Sequence, residues 1–197
     1  MNIQTRAKEL IQTQIDALSK LVVNESFSDA VDQILKNKGK IVTTGIGKAG
    51  YIARKSASTF CTTGSPSVFL HPGDASHGDV GLLSPYDLVL AFSNSGKNRE
   101  VLETVEFAKK LGAHTVISIT KSKSSPLGEL SDVVIELGEI KESCPIGFTP
   151  TASTSAMLVI ADTLALLSME KRGFSAEDFS LRHHGGYLGV KAREAGK

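Results

Sequence analysis

The sequence predicts an α/β protein whose parallel sheet is covered by helices on both faces. Five short β-branched or apolar runs, segments of helical periodicity between most of them, and one run that is apolar at every position lead to that class. Ile3, Ala7, Ile11, Ile15, Leu18 and Leu21 recur at the spacing of one helix face, and a second helical stretch runs from about Ser26 to Asn37. The chain therefore opens with a helical arm over about 1–38. Strands follow at Lys40–Thr44, Ser67–Leu70, Leu88–Phe92, His114–Thr120 and Asp132–Glu136. Leu88–Phe92 is apolar throughout, as a strand buried on both faces must be, which places it at the sheet centre. A long apolar helix from Thr151 to Lys171 is stopped by Gly173, then come a short acidic helix at Ala176–Phe179 and the tail LRHHGGYLGVKAREAGK. No internal repeat, low-complexity run or Pro/Ser-rich linker interrupts this order, so a single domain over 1–197 is the economical reading.

Composition removes several function classes. At 197 residues, 41% hydrophobic and 22% charged, the chain has the balance of a globular domain and not of a disordered tail, a fibre or a disulfide mini-protein. Its 22 Lys+Arg against 21 Asp+Glu leave a net charge of +1 with no long basic block, which argues against a nucleic-acid partner. Cys61 and Cys144 stand far apart without CxxC pairing, so neither a zinc site nor a disulfide framework is expected and a reducing, cytoplasmic setting fits. No window reaches the eighteen or so apolar residues of a membrane span, and no export signal or membrane association is expected.

In an open parallel sheet ligands bind beyond the carboxyl ends of the strands, so the loops after each strand carry the chemistry. After the first strand, Gly45-Ile46-Gly47-Lys48-Ala49-Gly50 turns into a helix and brings backbone N–H groups and one lysine to the strand end. Its letters match the dinucleotide fingerprint GxGxxG, with Asp74 about 24 residues further on, but glycine turns of this kind also serve close packing alone. After the third strand, Ser93-Asn94-Ser95-Gly96-Lys97-Asn98-Arg99-Glu100 leads into a helix. Hydroxyls, a glycine and a helix N-terminus there form a phosphate cradle. A small phosphorylated ligand explains both loops, whereas a dinucleotide leaves the second without a role. A GxxxxGK[ST] sequence is absent. His71, His77, His183 and His184 would make a metal site only without any supporting spacing, and no metal is expected. The hydroxyl run Thr149–Ser155, including Thr151 and Ser153, either caps the long helix or reaches the ligand.

With these loops in order, the chain resembles the sugar isomerase (SIS) domain family, and within it the D-arabinose 5-phosphate isomerases of Kdo (lipopolysaccharide) biosynthesis. The resemblance runs through GIGKAGYIARKSASTFCTTGSPSVFLHPGDASHGDVG, SNSGKNRE, KESCPIGFTPTASTSAMLVIADTLA and RGFSAEDFSLRHHGGYLG, across about residues 40–190. It implies a three-layer αβα sandwich, flavodoxin- or Rossmann-like, usually assembled as a homotetramer with active sites between subunits. Relatives commonly continue into tandem CBS domains; this sequence looks like the short form without them. Ala49 stands where relatives often have Ser, Asn98 where Ser or Thr is frequent, Tyr51 where His is common, and His184 replaces a proline beside the family histidine matched by His183.

The activity implied is aldose–ketose isomerisation between D-arabinose 5-phosphate and D-ribulose 5-phosphate through a cis-enediolate, with no cofactor. The implied catalytic set is Lys48, His77, Glu100, Glu142 and His183, with His184 as a competing acid/base. Gly47, Ser93, Asn94, Ser95, Asn98, Thr151 and Ser153 would hold substrate and phosphate. Glu142 is the expected base, its basicity raised by burial; Glu100, in the first turn of a helix, is the poorer base and orients hydroxyls or Lys48. Lys48 stabilises the enediolate and His77 moves the ring-opening proton. A non-catalytic phosphosugar-binding regulator, or an isomerase of another phosphosugar, is the alternative. Kdo or CMP-Kdo is the candidate feedback ligand, competing at the active site through its carboxylate.

Overall fold

The computed structural model describes residues 1–195, so the expected span of 1–197 ends in two residues outside the described ones. The chain opens with helices α1 (Ile3–Ser19) and α2 (Glu25–Lys36) and then enters strand β1 (Ile41–Gly45). Helix α3 (Gly47–Thr62), strand β2 (Ser67–Leu70), a short helix α4 (Pro72–Ala75), a 3-10 turn at Asp79–Leu82 and strand β3 (Leu88–Ser93) follow. Helix α5 (Arg99–Lys110), strand β4 (Thr115–Thr120), helix α6 (Pro126–Glu129) and strand β5 (Val133–Glu136) complete the sheet. Three helices end the described chain: α7 (Ala152–Lys171), α8 (Ala176–Arg182) and α9 (Gly186–Ala195).

All strand pairs are parallel and the order is β2-β1-β3-β4-β5, with β3 in the middle as its uniform apolarity requires. Side chains alternate between faces along each strand. Leu88, Leu90 and Phe92 join Ile41, Ile117 and Ile119 in one core, covered by Phe27, Val31 and Ile34 of α2, Phe60 of α3, and Met157, Ile160 and Leu164 of α7. Val89 and Ala91 face the other way with Val42 and Val116, under Ala75 of α4, Val101, Val105 and Ala108 of α5, and Leu127 of α6. The N-terminal stretch expected as a helical arm thus supplies part of a core.

Two expectations need correction. Helix α7 is long and apolar enough to cross a membrane by length and composition, with a mean hydropathy of 1.5, although no such window was expected. Half of that window is buried, through Ala152, Ala156, Met157, Ile160, Ala161, Leu164 and Ala165, and α7 is a core helix packed against α1, α2 and α3. The tail contains a helix that periodicity did not announce, because Tyr187, Leu188 and Val190 of α9 are exposed and only Gly189 is buried. Gly189 lies against the carbonyls of His183 and His184, and Arg193 Nη1 donates to the His184 carbonyl at 3.1 Å.

At the amino edge of the sheet Asp87 ties three segments together. Its side chain is 1% exposed and accepts from the Lys40 backbone N–H (2.9 Å), the Lys40 ammonium (2.5 Å) and the Ser84 backbone N–H (2.7 Å). Burial works to raise its pKa, but these bonds from Lys40 and Ser84 outweigh it and hold the carboxyl below its ordinary 3.8. Asp87→Ala should therefore cost about 3 kcal/mol in urea unfolding, because it strands the buried donors. A lowered native pKa means the contribution is complete above 3.8 and disappears only as the pH falls through the native value. An Asp87→Ala chain as stable as the parent at pH 7 would remove this account.

Candidate active site

β2 and β3 flank β1 on opposite sides, so the helices that follow β1 and β3 depart to opposite faces: α3 joins the α2–α7 layer and α5 the other. Between them, at the carboxyl edge, strand order reverses, the place where such sheets bind ligands. Gly45 pairs with Phe92 there and Ser93 with Thr120, which brings the two glycine-containing loops level with each other.

The three glycines of the β1 loop do different work. A Cβ on Gly45 would come within 3.1 Å of the Ala49 and Phe92 carbonyl oxygens, and one on Gly50 within 2.6 Å of the Gly45 carbonyl oxygen, so both permit close seating of α3 on the sheet. Gly47 has φ +59, with nothing within 4 Å of the place a Cβ would take, and it opens the turn at this edge. Lys48 follows in the first turn of α3 and is exposed.

The β3 loop is built as a cradle. The Ser93 hydroxyl accepts from the Gly96 N–H (3.1 Å) and donates to Asn98 Oδ1 (2.7 Å), while the Ser95 hydroxyl accepts from the Lys97 N–H (3.2 Å). Gly96 has φ +65, and a Cβ there would meet Thr120 Oγ1 at 2.8 Å and Ser125 Cβ at 2.6 Å. Thr120 and Ser125, which sequence reading passed over, thus support the loop from beneath; only the loop-facing small residue Gly96 hints at them. Asn98 is the N-cap residue of α5 but makes no side-chain cap bond, leaving the first amides of that helix open. Asn94 Oδ1 is buried with no partner among the described residues. Glu100 sits exposed in the same first turn.

Glu142 lies in the loop between β5 and α7, and its Oε2 accepts from the Thr151 N–H (2.7 Å), the Thr151 hydroxyl (2.9 Å) and the Ser153 N–H (3.3 Å). It caps α7, whose own N-cap residue Thr151 makes no cap bond. Burial raises the Glu142 pKa, but the Ser153 hydroxyl and the Thr151 amide and hydroxyl more than reverse it, and the carboxyl stays below its ordinary 4.5. The expected rise in basicity is thereby corrected: the donors of Thr151 and Ser153 and a helix N-terminus outweigh burial. The Ser153 hydroxyl is buried, with no hydrogen bond of normal geometry among the described residues. Thr151 takes neither role expected of the hydroxyl run directly: its hydroxyl donates to the Glu142 carboxylate, which caps the helix in its place. Ser143, also passed over, fixes the loop: its N–H donates to Thr151 Oγ1 (2.9 Å) and its hydroxyl to the Leu10 carbonyl of α1 (3.1 Å).

His77 follows α4, exposed, its N–H bonded to the Asp74 carbonyl at 2.9 Å. His183 and His184 are elsewhere. Helix α7 carries the chain about 30 Å away from the Glu142 loop, and Arg172 then bonds the Gly64 and Ile34 carbonyls and Ser65 at the amino edge. Phe174 packs against Gly64, Arg182 lies 5.1 Å over the Phe174 ring, and His183 stacks on Phe179 at 5.3 Å. One chain therefore does not bring His183 or His184 to Lys48 and Glu142. Among the described residues no three His, Cys, Asp or Glu side chains gather where a metal ion would need them.

An open sheet of order 2-1-3-4-5, with a hydroxyl-lined helix N-terminus at its reversal point, defines a doubly wound α/β protein of the kind that binds ligands at that edge. Residues 34–167 match the SIS domain, and the chain belongs to that family. It is 42% identical over 192 residues to the arabinose 5-phosphate isomerase KdsD of Escherichia coli (strain K12), an alignment that covers 96% of this chain and 58% of that protein. The chain thus spans a little over half the length of that relative. A Bacteroides fragilis NCTC 9343 structure assigned as a phosphosugar isomerase involved in capsule formation aligns with a TM-score of 0.91 at 45% identity, over 94% of this chain and 100% of that one. The E. coli CFT073 c3406 structure in complex with arabinose 5-phosphate aligns with a TM-score of 0.88 at 34% identity, over 93% and 100%.

The Glu142 cap predicts a stability effect separate from catalysis. Glu142→Ala should cost about 1 kcal/mol in urea unfolding at pH 7. The contribution is complete above 4.5 and vanishes as the pH falls through the lowered native value. Thr151→Val should move the Glu142 carboxyl titration, followed by carbon-13 NMR, back upward; an unmoved titration would contradict the assignment of its cause.

Proposed function

We propose that the protein is a phosphosugar isomerase that interconverts D-arabinose 5-phosphate and D-ribulose 5-phosphate. The observation that carries this reading is the phosphate-type cradle at Ser93–Asn98 set level with the Lys48 turn across the reversal point of the sheet. The likeness to KdsD and to a structure holding arabinose 5-phosphate supports the substrate.

In this reading the open amides of α5, with Ser93, Ser95, Asn94 and Asn98, hold the phosphate, and Gly47 leaves room for the sugar chain. His77 takes the hydroxyl proton and returns it to the ring oxygen as the ring opens, exposing the aldehyde. Glu142 removes the proton from C2, beside the carbonyl, and returns it to C1 after the enediolate forms and the hydroxyl proton has passed from O2 to O1, leaving the carbonyl at C2. All three of its bonds fall on Oε2, so Oε1 is the oxygen that moves the proton. A carboxylate held this low is a weak base but is ionised at neutral pH. Lys48 therefore bears much of the task, lowering the energy of the enediolate with a fixed positive charge. Glu100 orients hydroxyls or Lys48. His183 takes part from a second copy, in the homotetramer proposed with this function. The chemistry shifts protons and one carbonyl within a molecule and uses no cofactor. A place at the start of Kdo biosynthesis in the cytoplasm, with Kdo or CMP-Kdo competing for the site, belongs to the same proposal.

A second reading, an isomerase of another phosphosugar, rests on the B. fragilis relative assigned to capsule formation. Purified protein assayed in both directions with chelator present, against a panel of pentose, hexulose and amino-sugar phosphates, separates the two. Selective reversible turnover of arabinose 5-phosphate is expected, and Lys48→Ala, His77→Ala and Glu142→Gln should each lose about 100-fold or more in kcat while remaining folded. Turnover only of another sugar selects the second reading, and binding without turnover of any sugar makes the protein a phosphosugar sensor.

A further inference from the structure

Beside the candidate active site, on the β2 side of β1, lies a cleft of about 190 Å³ lined by Gly47, Gly50, Tyr51, Arg54, Phe69 and His71. The first four of these recur at i, i+3, i+4 and i+7 and form one face of α3, turned toward the end of β2. Glycines keep the space open. Nothing lies within 4 Å of where a Gly47 side chain would begin, and a Gly50 Cβ would sit 3.8 Å from Phe69 Cζ. The Arg54 guanidinium lies 4.8 Å over the Phe69 ring and has no ion-pair or hydrogen-bond partner among the described residues. His71 Nδ1 is buried without a hydrogen bond, the nearest carboxylate oxygen, Asp74 Oδ2, being 3.6 Å away. Tyr51, exposed, adds a phenol.

A guanidinium stacked on an aromatic ring has its orientation fixed and its in-plane N–H groups free, the arrangement that meets a carboxylate or phosphate with paired hydrogen bonds. A larger outer chamber of about 480 Å³ shares Arg54, Phe69 and His71 but is also lined by Asp74 and Asp79, whose charges repel an anion. Among the described residues, no carboxylate lines the inner cleft. We propose that this cleft is a second oxyanion site, centred on Arg54, that binds a carboxylate or phosphate group separately from the cradle at Ser93–Asn98. Two strand spacings, about 10 Å, separate β2 from β3. A ligand with anionic groups at both ends can therefore span the two positions.

The test is equilibrium dialysis of the full chain against labelled inorganic phosphate at constant ionic strength. The parent and Ser93→Ala chains should both bind phosphate at the Arg54 site. Arg54→Met, which keeps the stem over Phe69, should weaken that binding about tenfold or more, and Arg54→Lys should lose less. Asp74→Asn should leave binding intact or tighten it. Acetate that displaces the phosphate shows a site open to carboxylates; phosphate that resists acetate shows one selective for phosphate. Phosphate binding unchanged in Arg54→Met, or abolished entirely by Ser93→Ala, overturns the proposal. The readout needs no turnover, so loss of the isomerase reading and loss of this site are told apart.

Discussion

The candidate site depends on one topological step, the return of the chain from β2 across β1 to β3. Parallel strands need crossovers, and crossovers of one hand place the connection on a face set by the direction of travel. Reversing direction at β1 therefore sends α3 and α5 to opposite faces and leaves their N-termini apart, with unpaired amides and positive dipole ends on either side of a gap. Gly47 and Gly96, both at positive φ, let the backbone turn away from the strand ends without filling that gap. Packing of Gly45 and Gly50 holds α3 close enough for Lys48 to stand at its edge.

Glu142 joins folding to the proposed chemistry. Its Oε2 supplies the bonds that α7 cannot obtain from Thr151, and α7 in turn carries Met157, Ile160 and Leu164 into the larger core. Holding the carboxylate this way fixes its position but lowers its basicity, so in the proposed reaction proton abstraction would rely on placement and on stabilisation of the developing oxyanion. The position itself is secured from α1, whose Leu10 carbonyl and Gln14 side chain bond Ser143 and Ser155 on either side of the cap.

The strands were legible because β1, β3 and β4 are buried on both faces, which leaves β-branched and apolar runs with little polar alternation; only β2 matches its expected bounds, and β1, β3, β4 and β5 differ from theirs by a residue at one or both ends. The Ser93–Asn98 turn was legible as a loop because serines and a glycine end the apolar run of β3. Electrostatics was not: whether Glu142 is more or less basic than usual depends on donors nine and eleven residues away, which sequence order does not place on one oxygen. Nor was the distance of His183, since the direction of α7 and the docking of Phe174 on Gly64 decide it. The face of Tyr51 and Arg54 was written in plain helical spacing, but its meaning required knowing that Phe69 and His71 stand opposite.

The proposed catalytic set is divided between two edges of one chain, Lys48 and Glu142 at the carboxyl edge and His183 at the amino edge. Rotating a side chain cannot close a gap spanned by a twenty-residue helix. If His183 takes part, a second copy must present its amino edge to the first copy's carboxyl edge. Residues Ile3, Ile11 and Ile15 of α1 and Ile146 and Phe148 of the Glu142 loop are exposed apolar side chains around that edge. Covering them in the proposed assembly would remove apolar surface from water. Since α1 also bonds the loop that holds Glu142, an assembly built on α1 would be mechanically joined to the positioning of the carboxylate.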